Sequence, residues 1–506
     1  MVQRILALFK SNPLGALALG FAIVTIIVTA INSVGYHHAD EHYQIIEFAN
    51  YFLGNVDAND LPWEFKACIR PSVQPLIAAG FFKTLNLLGI NDPFVLTMFL
   101  RISTGLFGLW VYVIFLQTWV NREVQAKGIP VLLAVSAFFL WFMPYLLVRF
   151  SSENLSSLFF LWGLAQYFSN RENKQLVFVG LLLGLSFTFR FQMAIAVAGF
   201  VAWLVIVERI RISKTVSILV GGVFGLIVLL ICDYWFYGEF VFSPWNYLSS
   251  NLIEGKAASF GVDPWWMYFA ELWVYLTPLG AMLCLVGFSL WVYHFKKSPF
   301  LWILIPFLFI HCLIGHKEFR FLFPIVFVIP VLLFRLYSAV EMRIGPSKWF
   351  SGILVLLTAI NVCGTMLVTQ CTAGSGRIGL LQELHVQYPY QSVKIYHTNY
   401  SNPYEPWEGG NHANWYHSTR RNIETHKIES IENLSAIELD LGKANYLIFR
   451  QADLDYFEIT QDQLSAPMEL VKSSAPEILG TLAVKLELIN VQETYYLYKF
   501  KQKKEG

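Results

Sequence analysis

Long apolar runs separated by short polar breaks constrain this fold more than any motif does. Stretches at 13–34, 93–118, 129–147, 154–169, 175–189, 191–207, 215–236, 267–294, 299–314, 321–340 and 349–369 are each apolar over a length near the ~20 residues a bilayer needs. The pattern predicts a polytopic α-helical membrane protein with about eleven transmembrane helices, the fourth to sixth of them short. Charged residues are only 14% of the chain, against about 25% in soluble domains. A formal net charge of +1 leaves no basic face for nucleic acid. The first run follows Arg4 and Lys10 and has no small-residue cleavage pattern, so it reads as a retained helix.

Lys and Arg set the orientation. One set of helix ends carries Arg4, Lys10, Arg122, Lys127, Arg171, Lys174, Arg209, Arg211, Lys214, Lys296, Lys297, Arg343 and Lys348; the opposite short loops carry Arg149, Arg190, Lys256, Lys317 and Arg320. The positive-inside rule then puts the amino terminus in the cytoplasm. The loop 35–92, the loop 237–266, the GHKEFRF loop at 315–321 and everything after residue 370 are expected outside.

Composition turns polar after about residue 370. Residues 1–370 therefore read as the membrane domain, with amphipathic helices in its external loop 35–92, and 371–506 as a soluble extracytoplasmic α/β domain. Strands are expected at 393–400, 445–450, 485–491 and 494–500. Of the six cysteines, Cys68 and Cys371 alone lie outside the apolar runs, and the sequence gives little ground for pairing them.

Ionisable groups at a membrane boundary are costly and usually carry a task. The first external loop opens with His37, His38, Asp40, Glu41 and His42, and apolar spacing from Glu41 onward predicts an amphipathic helix on the membrane surface. An acid there also suits a helix amino terminus. The His and acid spacing fits no established zinc pattern. Further along come Glu64, Lys66 and Arg70, then Arg149 and Glu153, Arg190, Asp263, Trp265 and Glu271, and finally His316, Lys317, Glu318 and Arg320. Single arginines at helix ends often snorkel to head groups, and tryptophans often form an interfacial belt. Arg190 is different, because apolar sequence continues on both sides of it. A carboxylate base beside an incoming hydroxyl and cations beside a leaving phosphate together suit transfer from a lipid-linked phosphate.

The motifs resemble those of glycosyltransferase family 22. GHKEFRF contains the family's HKExRF signature as His316, Lys317, Glu318, Arg320 and Phe321. "HADE", His38 to Glu41, is similar to its first-loop HPDE, with Ala39 in place of the usual proline. Trp63–Glu64 and Arg70 follow in the family's order, while Arg190–Phe191 departs from its arginine–proline pair. Within the family the resemblance is strongest to the branch that adds the third mannose of glycosylphosphatidylinositol anchors.

The resemblance implies a GT-C membrane fold and an inverting mannosyltransferase working at a lumenal or periplasmic face, in a bacterial inner membrane or the endoplasmic reticulum. Its donor would be a polyprenyl- or dolichyl-phosphate mannose, and its acceptor a lipid-linked molecule or glycan. Asp40 would be the base, with Glu41 as the next candidate. His316, Lys317, Arg320 and Arg190 would hold the donor phosphate. Glu64, Arg70, His38, Glu318 and Trp265 would bind acceptor or support the site. No cofactor or metal is expected. Two alternatives stay open: a transporter or flippase of a lipid-linked sugar, and the same fold transferring another sugar. A transporter would more often show an internal repeat.

Overall fold

The computed structural model describes residues 13–125, 129–345, 348–374, 376–387, 391–405, 410–417, 422–428, 439–440, 442–456, 468–475 and 491–501. Its longer helices are α1 (Pro13–Asn32), α2 (Val73–Leu87), α3 (Pro93–Glu123), α4 (Val131–Phe139), α5 (Ser152–Ser169), α6 (Asn173–Phe189), α7 (Met193–Ile206), α8 (Ile212–Tyr237), α9 (Met267–Tyr275), α10 (Thr277–His294), α11 (Pro299–Leu313), α12 (Ile329–Ile344), α13 (Lys348–Val368) and α14 (Arg377–Gln387).

Among the described residues, five helices are long and apolar enough to cross a membrane: α1, α3, α8, α10 and α13. A sixth crossing arises if Phe319–Val326 and the helix from Ile329, bent by 63°, form one span. Helices α6, α7 and α11 are apolar but shorter. Side chains such as Val355 on α13, 70% exposed, turn outward along these helices. Apolar surface of that extent belongs in lipid, and the chain is a multi-span membrane protein.

Three expected spans are broken, each beside a proline. The run 129–147 divides into α4 and a short helix Met143–Val148 with Pro144 in its first turn. The run 267–294 divides at Leu276, before Thr277 at φ 62° and Pro278. The run 321–340 bends between Pro324 and Pro330. Proline lacks the N–H that would continue the ladder and disfavours a helical residue before it.

The chain groups into two compact units. One holds residues 1–27, 66–76 and 103–366; the other holds 28–65, 77–102 and 367–506. In the first, α6 and α8 approach at glycines. A Cβ on Gly180 would lie 1.9 Å from the Ile218 carbonyl oxygen, and one on Gly221 would lie 1.9 Å from that of Val177. Small residues at such a crossing let backbones meet closely inside a membrane.

In the second unit a five-stranded sheet has the order β2-β1-β3-β5-β4, formed by β1 (Val393–His397), β2 (Ile423–Lys427), β3 (Ala444–Arg450), β4 (Met468–Ser473) and β5 (Tyr495–Phe500). Strands β2, β1 and β3 are parallel, and β5 and β4 continue antiparallel. Tyr396, Leu447, Phe449, Tyr498 and Phe500 build its core with Leu454 and Met468. The expected strand at 485–491 lies outside the described residues except Val491, which is in a 3-10 turn. Cys68 and Cys371 are free thiols.

Candidate active site

Each unit assembles its own set of the polar residues singled out in the sequence. In the first unit the set is built where helices end. Arg190 caps the carboxyl end of α6 in extended conformation, and α7 restarts three residues later. That break explains an arginine with apolar sequence on both sides. Glu153 lies in the first turn of α5, where the helix dipole favours an acid, behind the N-cap Ser151.

Glu153 is the hub. Its Oε1 accepts from Nη1 of Arg190 at 2.7 Å and from Nη1 of Arg320 at 3.0 Å. Arg190 Nη1 also reaches Ser152 Oγ at 3.2 Å. Arg320 closes a two-pronged pair on Glu318, Nε to Oε2 and Nη2 to Oε1, the strongest ion-pair geometry a carboxylate offers. His316 Nε2 meets Glu318 Oε1 at 3.0 Å. Lys317 is buried and its ammonium donates to the backbone carbonyls of Ile314, Gly315 and Asp263. Both guanidinium groups, of Arg190 and Arg320, lie 5.2 Å from the centre of the Phe321 ring.

The donors are therefore unequally committed. Arg320 uses all three guanidinium nitrogens on Glu318 and Glu153, and Lys317 uses its ammonium on three carbonyls. Arg190 is equally buried, yet its Nε and Nη2 have no hydrogen-bond partner. Buried donors are rarely left so, and within this cluster Arg190 stands out by having two. Beside it, Gln192 donates to the Tyr247 hydroxyl at 2.6 Å, and the Arg70 guanidinium lies 5.7 Å from the same ring. The Arg70 loop is pinned by the Tyr237 hydroxyl on its carbonyl and by Ser72, which donates from both N and Oγ to Asp233. Trp265 is 63% exposed.

In the second unit the first-loop segment forms a helix of three parts, Ala39–Glu41, His42–Ile46 and Glu47–Phe52, the middle one π-helical. It is not the surface amphipathic helix expected. Residues 41–50 are buried throughout, because its polar side chains have protein partners. Gln44 donates to Glu64 Oε1 at 3.1 Å. His42 Nε2 meets Glu47 Oε1 at 2.9 Å, and Asn50 donates to Glu47 Oε2 at 3.0 Å.

The same segment separates the two candidate bases. Glu41 is buried and its Oε2 accepts from the His37 N–H at 2.8 Å. Asp40 keeps 27% of its side chain exposed, with His38 Nδ1 3.7 Å away. His38 also caps the helix by accepting from the Asp40 N–H. Asp40 is thus the more exposed of the two acids. Among the described residues, no three His, Cys, Asp or Glu side chains gather as a metal site.

Sequence reasoning named Glu153 but gave it no role, and it passed over Glu47. Glu47 follows Ile45 and Ile46 and precedes Phe48, an apolar setting that signals a buried partner; Glu153 lies between Ser152 and Asn154 and carries no such signal.

The description "Alg9-like mannosyltransferase family" belongs to the family model that matches residues 18–406. GPI mannosyltransferase 3 of Yarrowia lipolytica is 27% identical over 388 residues, 75% of this chain and 72% of that protein. Mannosyltransferase APTG1 of Arabidopsis thaliana is 24% identical over 345 residues, 66% of this chain and 60% of that one. The chain thus matches between about three fifths and three quarters of these relatives' length. The crystal structure of ArnT from Cupriavidus metallidurans bound to undecaprenyl phosphate aligns over 96% of this chain and 97% of that chain, at 9% identity and a TM-score of 0.49. That likeness falls short of showing a shared fold.

Proposed function

This chain belongs to the Alg9-like mannosyltransferase family, and we propose that it transfers mannose from a polyprenyl- or dolichyl-phosphate mannose to a hydroxyl of a lipid-linked or glycan acceptor. The reaction runs with inversion at the lumenal or periplasmic face, on a GT-C scaffold. The relative named GPI mannosyltransferase 3 supports an acceptor of the glycosylphosphatidylinositol kind.

The observation that carries this reading is Arg190, a buried guanidinium with two uncommitted N–H groups. A phosphate is the anion whose oxygens match such a fork. In the reaction Asp40 takes the proton of the acceptor hydroxyl. The freed oxygen attacks the anomeric carbon, and the bond from that carbon to the phosphate oxygen breaks with its electron pair going to phosphate. Arg190 receives the growing charge, which is worth most in a dry site. Arg320 sets Arg190 through Glu153 and Phe321, Lys317 adds a fixed positive charge to the loop, and His316 braces Glu318. Glu318 orients Arg320 and His316. No resident metal enters this scheme, since cations hold the phosphate.

The test is incubation of the purified protein with a short-chain β-linked polyprenyl-phosphate mannose and a mannosylated acceptor. A new α-mannoside bond supports the reading. Movement of the donor across vesicles without a new bond would instead identify a transporter, and preference for another sugar phosphate would change the substrate alone.

A further inference from the structure

The segment that carries Asp40 has one residue more than a regular helix. The N–H of Glu47 donates to the carbonyl of His42, five residues back rather than four. One residue corresponds to about 100° of helical rotation, and such π-turns recur at functional sites. Were 42–46 wound as α-helix on the fixed Glu47–Phe52 segment, Glu41 would take the bearing Asp40 now has. The π-turn thus decides which of two adjacent carboxylates stays accessible and which is buried.

That turn is tied twice. Besides the backbone bond, the side chains of His42 and Glu47 meet at 2.9 Å. Glu47 Oε1 also accepts from the backbone N–H of Trp415 at 2.8 Å, 368 residues away in sequence. The His42 ring is stacked between Tyr36 at 4.9 Å and Tyr416 at 5.3 Å. Trp415 is fixed in turn by its ring on Phe82, 4.4 Å between centres, and its indole N–H on the Pro93 carbonyl. His42, Glu47, Asn50, Trp415 and Tyr416 are all buried, so water cannot replace a lost partner. An unmade bond here carries its full desolvation cost.

We propose that His42 and Glu47, completed by the Trp415 N–H, are positioning residues that hold the π-turn and thereby present Asp40 rather than Glu41 as the base. Residues 414–417 thus belong to the catalytic apparatus without touching substrate. The inference rests on the proposed role of Asp40.

The test is a double-mutant cycle in the full-length protein, with folding checked by thermal unfolding in detergent. Glu47→Gln places an amide NH2 against the Asn50 amide and loosens the tie. It is expected to slow turnover about 10- to 100-fold, the scale of a small misplacement of a reacting group, with donor KM unchanged. Adding Asn50→Asp restores an acceptor and should recover most of the loss. In an Asp40→Asn background the same Glu47→Gln change should cost less than about 2-fold, because no base remains to be positioned. If Glu47→Gln does not fold, His42→Phe keeps the ring stack, removes the bond and runs the same cycle. Equal losses with and without the Asp40 carboxylate, or no loss at all, would overturn the positioning role while leaving Asp40 as base. Near-normal turnover of Asp40→Asn alone would overturn both.

Discussion

Arg190 and Arg320 share one carboxylate oxygen: both donate to Oε1 of Glu153, and both lie at the same distance from the Phe321 ring. Of the two, only Arg190 keeps buried donors uncommitted, which is why the proposal gives them different tasks. In that proposal Arg320 organises the loop and Arg190 receives the phosphate.

Glu153→Gln tests the shared oxygen. The amide cannot neutralise two buried cations, and breaking a buried charge pair costs roughly 3–5 kcal/mol. The unfolding midpoint in detergent should fall by several degrees. An unchanged midpoint would mean that Glu318 and Phe321 alone hold the cations.

Arg190 and Lys317 should separate under substitution. Arg190→Lys keeps the charge and loses the planar fork, so donor KM should rise and turnover fall by about 10-fold or more. Lys317→Met removes an ammonium bonded to three carbonyls, so its main effect should be on the unfolding midpoint. Donor titrations of the two variants, read with their midpoints, check the contrast. Equal donor KM effects would return Lys317 to the phosphate.

Much of this was legible in the sequence, for physical reasons. Apolar runs marked most helices because a bilayer demands length and hydrophobicity together. The prolines at 144, 278, 324 and 330 that break three of those runs were visible too, but a hydropathy pattern averages over them. Strands β1, β3 and β5 were legible from alternating aromatic and branched residues. Strands β2 and β4 were missed because they are sheet edges, and residues such as Glu424 and Glu469 face solvent. His316, Glu318, Arg320 and Arg190 do come together, but Glu47 with Trp415 was out of reach. No local pattern announces a contact across 368 residues.

Acid should loosen the second unit. Burial, with His417 beside it, pushes His412 down to about 4, and burial also lowers His397. An unfolded histidine takes its proton near 6.5. The folded forms therefore contribute full stability above about pH 6.5, and lose it as pH falls toward 4. Asp92 is pulled below its usual range: burial opposes this, but the His385 bond and backbone N–H groups prevail. Its contribution also disappears on acidification. Stability should fall between pH 7 and 5, and His412→Phe should flatten the slope. Stability that rises on acidification would contradict the assignment.

Metal removal should leave transfer nearly intact, because the scheme gives the phosphate to cationic side chains. Activity lost in EDTA and restored by Mn²⁺ or Mg²⁺ would place a metal in the reaction.

The most direct test of the whole account is turnover of Asp40→Asn at saturating donor, with donor affinity measured alongside. The substitution keeps size and removes the base. The account predicts turnover reduced at least ~10²-fold, the usual cost of losing a general base, with donor affinity essentially unchanged. Near-normal turnover would contradict it.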